Sequence, residues 1–200
     1  MRRILLHMSG EGFQLECEGY GCVPAKWMFV GISAGRRGAL LSKVPLTKDA
    51  SGRIFQRCLR ELGLSESDEF SLKPVLKDTY LTNLVKGRCL DEDGNNRMPT
   101  DEEVSYWTPR LVDEIRKVRP DNKDETMVVA LGDFVWRRFG PVQRAFLLER
   151  RRIRTFPVKH PRWFCSQGGL KPDSPAFKTM VEEYRTRLPS RPWSRSTEKH

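Results

Sequence analysis

The sequence predicts an α/β fold: a three-layer αβα sandwich with a central, mostly parallel sheet of about four strands. Two observations predict it. Short strand-like runs at Trp27–Gly31, Tyr80–Asn83, Thr126–Leu131 and Arg154–Val158 end in or just before small or polar residues. Between them lie segments whose apolar residues recur at helical spacing. Strands alternating with helices imply parallel strands joined by right-handed crossovers.

Taken in order, Trp27-Met28-Phe29-Val30-Gly31 is an apolar run stopped by glycine and reads as a buried strand. Residues 51 to 64 carry Ile54, Cys58, Leu59 and Leu62 at helical spacing, with Ser51 as the expected N-cap and Gly63 as the C-cap. Tyr80-Leu81-Thr82-Asn83 is the second strand. Thr100 and Glu103 form a capping box that opens a helix with Val104, Trp107, Leu111 and Ile115 on one face, ending by Pro120. Thr126 to Leu131 is the third strand, and Gly132-Asp133 leads into a helix over about 133 to 139. Arg154 to Val158 is the fourth strand. Ser174 to Leu188 is the last helix, with Pro175 in its first turn. Residues 65 to 77 and 88 to 98 are polar connections. Asp91-Glu92-Asp93-Gly94-Asn95-Asn96 lacks the EF-hand ligand spacing and terminal Glu, and reads as a turn. A single domain over residues 1–188 is expected, followed by a basic tail, 189–200, whose Ser, Pro, Arg and Lys predict disorder.

Hydrophobic residues make up 38% of the 200 and charged residues 31%, the balance of a soluble domain large enough for a real core. The formal net charge of +10 favours a polyanionic partner, nucleic acid first. Basic residues cluster at Arg36-Arg37, Arg137-Arg138 and Arg150-Arg151-Arg152 with Arg154; such a cluster is either a phosphate-binding surface or a solvated face. No apolar run approaches the ~20 residues of a membrane span. The apolar stretch after Arg2-Arg3 is too short for a signal peptide. Five cysteines without a paired framework suit a reducing compartment. A cytoplasmic, intracellular protein that meets nucleic acid, not membrane, is therefore expected, with a monomer as the default.

In an open α/β sheet chemistry is done at the carboxyl ends of the strands. Six stretches in chain order carry polar or small residues suited to that place: Gly31-Ile32-Ser33-Ala34-Gly35, Pro45-Leu46-Thr47-Lys48-Asp49-Ala50-Ser51-Gly52, Tyr80-Leu81-Thr82-Asn83, Pro99-Thr100-Asp101-Glu102-Glu103, Val128-Val129-Ala130-Leu131-Gly132 and His160-Pro161. Their order and spacing resemble the uracil-DNA glycosylase superfamily, nearest its thermophile-type iron–sulfur branches, from about Trp27 to about Gly169. The most specific part is the interval from Gly31 to Asp49.

The resemblance implies hydrolysis of the N-glycosidic bond of uracil, or a related deaminated base, in DNA by a monofunctional glycosylase that initiates base-excision repair. The base must be flipped from the stack and read on its Watson–Crick edge. Asn83 matches the uracil-reading residue: its amide accepts from N3–H and donates to O4. Without the resemblance, Asn83 reads equally as a strand-end turn residue. His160 matches the donor to O2 of the departing uracil anion, as a neutral imidazole; otherwise it orders a loop. Backbone N–H groups from Ile32 to Gly35 add donors. Several branches place an Asp or Asn where this chain has Ser33, which holds a water but is a poor base. Asp49, matched to the Asp of the family's Thr-Gly-Asp segment, is the catalytic candidate, or else the cap of the helix that follows. Leu46 replaces the family's stacking Phe and covers the base face without π-stacking. Arg162, Trp163 and Phe164 combine a phosphate-seeking cation with two rings on what reads as a loop after His160, either a wedge that enters the stack or core closure beneath the last helix. Arg36 and Arg37 lie beside the first motif as DNA contacts.

The iron–sulfur branches use four cysteines. Cys17 and Cys22 stand near two of those positions, Gly87 and Trp107 occupy the others, and Cys89 falls two residues late. This set is incomplete, so no cluster and no other metal or cofactor is expected, with Trp107 packing in the space. The alternative to an enzyme is a nucleic-acid-binding member of the superfamily with weak or no catalysis, and a third reading is excision of hypoxanthine or xanthine.

Overall fold

A computed structural model describes residues 17–118, 126–149 and 153–188. The expected tail at 189–200, the N-terminal residues 1–16 and the Arg150-Arg151-Arg152 run lie outside them. The strands β1 (Tyr20–Gly21), β2 (Trp27–Ser33), β3 (Thr79–Val85), β4 (Thr126–Leu131) and β5 (Ile153–Val158) form one sheet in the order β1-β3-β2-β4-β5. Four strands are parallel, and β1 adds a fifth, antiparallel edge. The expectation of about four strands missed it because two residues carry no periodic pattern.

The helices are α1 (Ala39–Ser42), α2 (Ala50–Glu61), α3 (Asp101–Val118), α4 (Asp133–Arg137), α5 (Gly140–Leu148), α6 (Pro161–Ser166) and α7 (Pro175–Arg187). They cover both faces of the sheet, so β2 is buried over its first five residues and β3 along its whole length, rather than on alternate residues only. Along β2, Trp27 and Phe29 pack with Ile54 and Phe55 of α2 and Tyr184 of α7. Met28 and Val30 pack on the other face with Trp107, Leu111 and Ile115 of α3 and Phe139 and Phe146 around α5. Phe29 and Phe55 meet edge to face at 5.3 Å, a geometry that aromatic quadrupoles favour.

The capping box closes as its sequence requires: Thr100 N–H donates to Glu103 Oε2 (2.8 Å) and Glu103 N–H to Thr100 Oγ1 (3.2 Å). Ser174 caps α7 ahead of Pro175. Three local expectations need correction. The cap of α2 is Asp49, not Ser51, because Asp49 Oδ1 accepts the Gly52 N–H at 2.7 Å. The helix expected over 133 to 139 is two helices, α4 and α5, broken where Gly140-Pro141 restarts the chain. The segment after His160 is not a loop but α6, with Pro161 in its first turn and His160 as its cap.

Candidate active site

The parallel register brings the ends of β2 to β5 to one edge. Asn83 of β3 lies opposite Gly31 of β2, and Leu131 of β4 opposite Val158 of β5, two residues before His160. At Gly31 a β-carbon would stand 2.6 Å from Asn83 Oδ1 and 3.0 Å from Leu46 Cδ2. The glycine is therefore what lets the Asn83 amide and the Leu46 side chain lie together over the strand. Asn83 is buried, and its Nδ2 finds no hydrogen-bond partner among the described residues. A buried amide donor without a partner costs about 1–3 kcal/mol, so its persistence points to a ligand that completes it.

Leu46 and Lys48 both hold left-handed backbone, with φ of 57° and 70°. Each such residue costs of order 1–3 kcal/mol and persists only where its surroundings enforce it. Here Gln56 of α2, fully buried, donates Nε2–H to Leu46 O (3.0 Å), and Thr47 Oγ1 donates to Val44 O (2.8 Å). The same turn delivers Asp49. Its Oδ1 caps α2, and Oδ2 approaches the first-motif loop closely enough that β-carbons at Gly35 and Gly38 would stand 3.1 and 2.6 Å from it. Desolvation raises the Asp49 carboxyl above the ordinary carboxylate value, against the pull of the Gly52 N–H and of Arg162. A partly desolvated carboxylate held by one oxygen suits a general base.

His160 is half-buried beside Gly132, whose φ of 90° and lack of a β-carbon make room: a β-carbon there would stand 3.0 Å from His160 Cβ. Its Nδ1 accepts the Arg162 N–H at 3.1 Å. Burial, aided by the Arg162 charge, pushes its pKa down to about 4, so the ring is neutral near pH 7. With Nδ1 accepting, the single ring proton sits on Nε2, which makes Nε2–H a donor. Helix α6 packs on the start of α2, where Cys165 Sγ donates to Ala50 O. That packing sets the Arg162 charge near both Asp49 and His160.

Asn83, Leu46 and Gly31 thus meet directly, Asp49 meets Gly35, and the Arg162 charge acts on both Asp49 and His160. Other expected residues fare differently. Phe164 is fully buried in the core beside Phe55 and Phe177, so it is no wedge. Of the two rings, Trp163 is the exposed one (45%), with Lys159 Nζ 4.2 Å from its ring centre, and Arg162 beside it is exposed as well. Ser33 lies beside the buried thiol of Cys89. Ile32 packs against the core under α3. Arg36 and Arg37 are exposed, but Arg36 also latches the 91–96 turn: its N–H meets Asn96 Oδ1 and its Nη1 meets Gly94 O, both at 2.9 Å. The latch sets Asn96 Nδ2 3.7 Å from where a Gly35 β-carbon would be. Gln56 went unnoticed in the sequence, Asn96 was read only as part of a turn, and Gly132 was placed at a strand end without its role beside His160. Gln56 did leave a signal, a polar residue on the apolar face of an amphipathic helix.

The cysteines do not fit a four-thiolate cluster. Cys17 is buried beside Lys86 and Glu114 with its thiol pushed up to about 11 by burial. Cys22 donates to Leu76 O, and Cys89 is buried with its thiol pushed up to about 11 by burial. Gly87 supplies no ligand, and Trp107 fills core with its indole N–H unpartnered among the described residues. No group of three or more metal-ligating side chains occurs among the described residues.

Fold and rim together define an α/β protein with a buried, incomplete polar site at the carboxyl edge of its sheet. The model of the uracil DNA glycosylase superfamily matches residues 18–184, and the chain belongs to that superfamily. It is 32% identical over 116 residues to a type-4 uracil-DNA glycosylase of Archaeoglobus fulgidus. That match covers 58% of this chain and 48% of the relative. The fold is similar to that of wild-type SMUG2 from Pedobacter heparinus, with a TM-score of 0.52 over 81% of this chain and 74% of that one, at 12% identity.

Proposed function

We propose that this protein is a monofunctional DNA glycosylase that removes uracil, or a related deaminated base, from DNA. The observation that carries the reading is the orphaned Asn83 Nδ2, buried beside Leu46 over a glycine. A flipped uracil offers what that amide lacks: O4 accepts from Nδ2, and N3–H donates to Oδ1. Leu46 covers the base face. As the C1′–N1 bond breaks, its electron pair leaves with the base, and the negative charge is shared with O2. His160 Nε2–H donates there, neutral throughout, so it stabilises the anion without protonating it. Asp49 orients a water whose oxygen bonds to C1′ and whose proton passes to the carboxylate. The products are an abasic site and the uracil anion, which becomes free uracil as Asp49 gives up its proton through solvent and the base takes one up.

Strand cleavage is not part of this reading. Lys86, close to Asn83 in sequence, has its ammonium hydrogens committed to three acceptors and is fully buried. The DNA is met by Arg37, Arg162 and Trp163, all exposed around α6 and the first-motif loop, with the +10 net charge supplying attraction. A monomer suffices, since one chain supplies every group named.

The test is incubation with uracil-containing single- and double-stranded oligonucleotides, followed by alkali. Abasic sites that break only after alkali are expected. A second reading, binding without catalysis, draws on Ser33, a poor base that stands where several branches carry Asp or Asn and lies beside the buried Cys89 thiol. Binding with no abasic sites at uracil, hypoxanthine or xanthine favours that second reading.

A further inference from the structure

We propose that Lys86, together with Thr82 and Glu114, is a positioning group that sets Asn83 for base reading. This rests on the role given to Asn83 above. The reasoning starts at the edge of the sheet. Strand β1 pairs only with Tyr80 and Leu81 of β3, and Cys22 N–H donates to Thr79 O. Alternate carbonyls of a strand point the same way, so Leu81 O and Asn83 O also face the β1 edge. At Asn83, β1 has already ended. The carbonyl there has no strand to accept from, and Lys86 Nζ donates to it instead.

Lys86 is fully buried. Besides Asn83 O, its ammonium reaches Thr82 Oγ1 and Glu114 Oε2, the latter at 2.7 Å. Three acceptors require three hydrogens, so the group is charged. Thr82 Oγ1–H donates to the same Glu114 Oε2 (2.7 Å), and Glu114 Oε1 accepts Gly19 N–H (3.3 Å). Cys17 N–H donates to Lys86 O (3.1 Å). The cluster therefore fastens the end of β3 to α3 and to the chain at 17–19, and nearly every donor and acceptor in it is paired.

A buried ion pair is a poor stabiliser, because desolvation cancels most of the attraction and an apolar replacement of like volume is often as stable or more so. What this pair does that an apolar core cannot is bond the backbone of one residue. That residue is Asn83. Its side chain points to the opposite face, across Gly31, where a shift of about 1 Å costs of order 100-fold in rate.

The test separates holding the fold from holding Asn83. The double variant Lys86→Met/Glu114→Leu removes both charges together. Its melting temperature is expected to stay within a few degrees of wild type, while kcat/KM on a single-stranded uracil oligonucleotide falls about 10- to 100-fold. The Asn83 side-chain NH2 signals in a 15N–1H spectrum, assigned by their loss in Asn83→Ala, are expected to shift or broaden. A double variant with wild-type kcat/KM and unmoved Asn83 signals overturns the proposal. If that variant does not fold, Glu114→Gln is read the same way: moved Asn83 signals support the proposal and unmoved ones overturn it. If wild-type protein releases no uracil, the glycosylase reading fails separately and the spectrum alone decides the positioning role.

Discussion

Asn83 and Lys86 stand three residues apart at the end of one strand, both polar and both buried, yet they are opposites. Lys86 spends every hydrogen of its ammonium on partners within the chain, on the α3 side of the sheet. Asn83 turns the other way, over Gly31, and leaves its Nδ2 without a partner among the described residues. Burial of a polar group therefore does not by itself mark a site. A saturated group is a fastening, and an unsaturated one is a candidate for an outside partner when it stands at the carboxyl edge of the sheet, as Asn83 does and the core indole of Trp107 does not.

The comparison breaks hardest on the saturated side. Glu114→Ala leaves Lys86 charged, buried and without its carboxylate, and is expected to cost about 3–5 kcal/mol of stability in denaturant unfolding. An unchanged midpoint shows that the cluster is not the fastening described.

On the unsaturated side, His160→Ala is expected to slow single-turnover uracil release about 10²–10³-fold, equivalent to about 2.7–4 kcal/mol. Loss of under threefold removes His160 from the leaving-group role. Gly31→Ala sharpens the contrast further. Its β-carbon at 2.6 Å from Asn83 Oδ1 must displace the amide, with an expected loss of roughly 100-fold in kcat/KM. Full activity in Gly31→Ala shows that the amide's position over the strand does not matter.

The smallest effect is in pH. The pKa of His160 in the folded protein, about 4, lies below its ordinary 6.5. Between these values the unfolded chain binds a proton that the folded protein refuses. The stabilisation is therefore complete above pH 6.5 and is lost as pH falls towards 4. Unfolding measured from pH 7 to 4 is expected to show this slope in wild type and a shallower one in His160→Ala. Uracil release shows no break near 6.5, since the donor stays neutral; a break there that disappears in His160→Ala contradicts the assignment.

Much of this was legible in the chain because it is local. The Thr100–Glu103 box, the Ser174 cap and the apolar runs are patterns over a few residues, and they formed as read. The strand ends delivered Asn83 to the same edge as the first-motif loop because parallel strands all end on one side. The two-residue β1 carried too little pattern to notice. Phe164 looked like half of an aromatic wedge because neighbours in sequence suggest a shared face. In a helix, successive residues point about 100° apart, so Trp163 is exposed while Phe164 enters the core.

Residue types, spacing and caps determined the α/β layering, because those properties depend only on near neighbours along the chain, and the resemblance of the motifs to a known superfamily singled out Asn83, Asp49 and His160. Tertiary structure alone decided that Arg162 comes near Asp49, that Gln56 props the Leu46 turn, and that Lys86 holds the carbonyl of Asn83. The physical reason is that an unpaired donor or acceptor is satisfied by whatever the fold carries within about 3 Å, and folding, not sequence distance, chooses that neighbour.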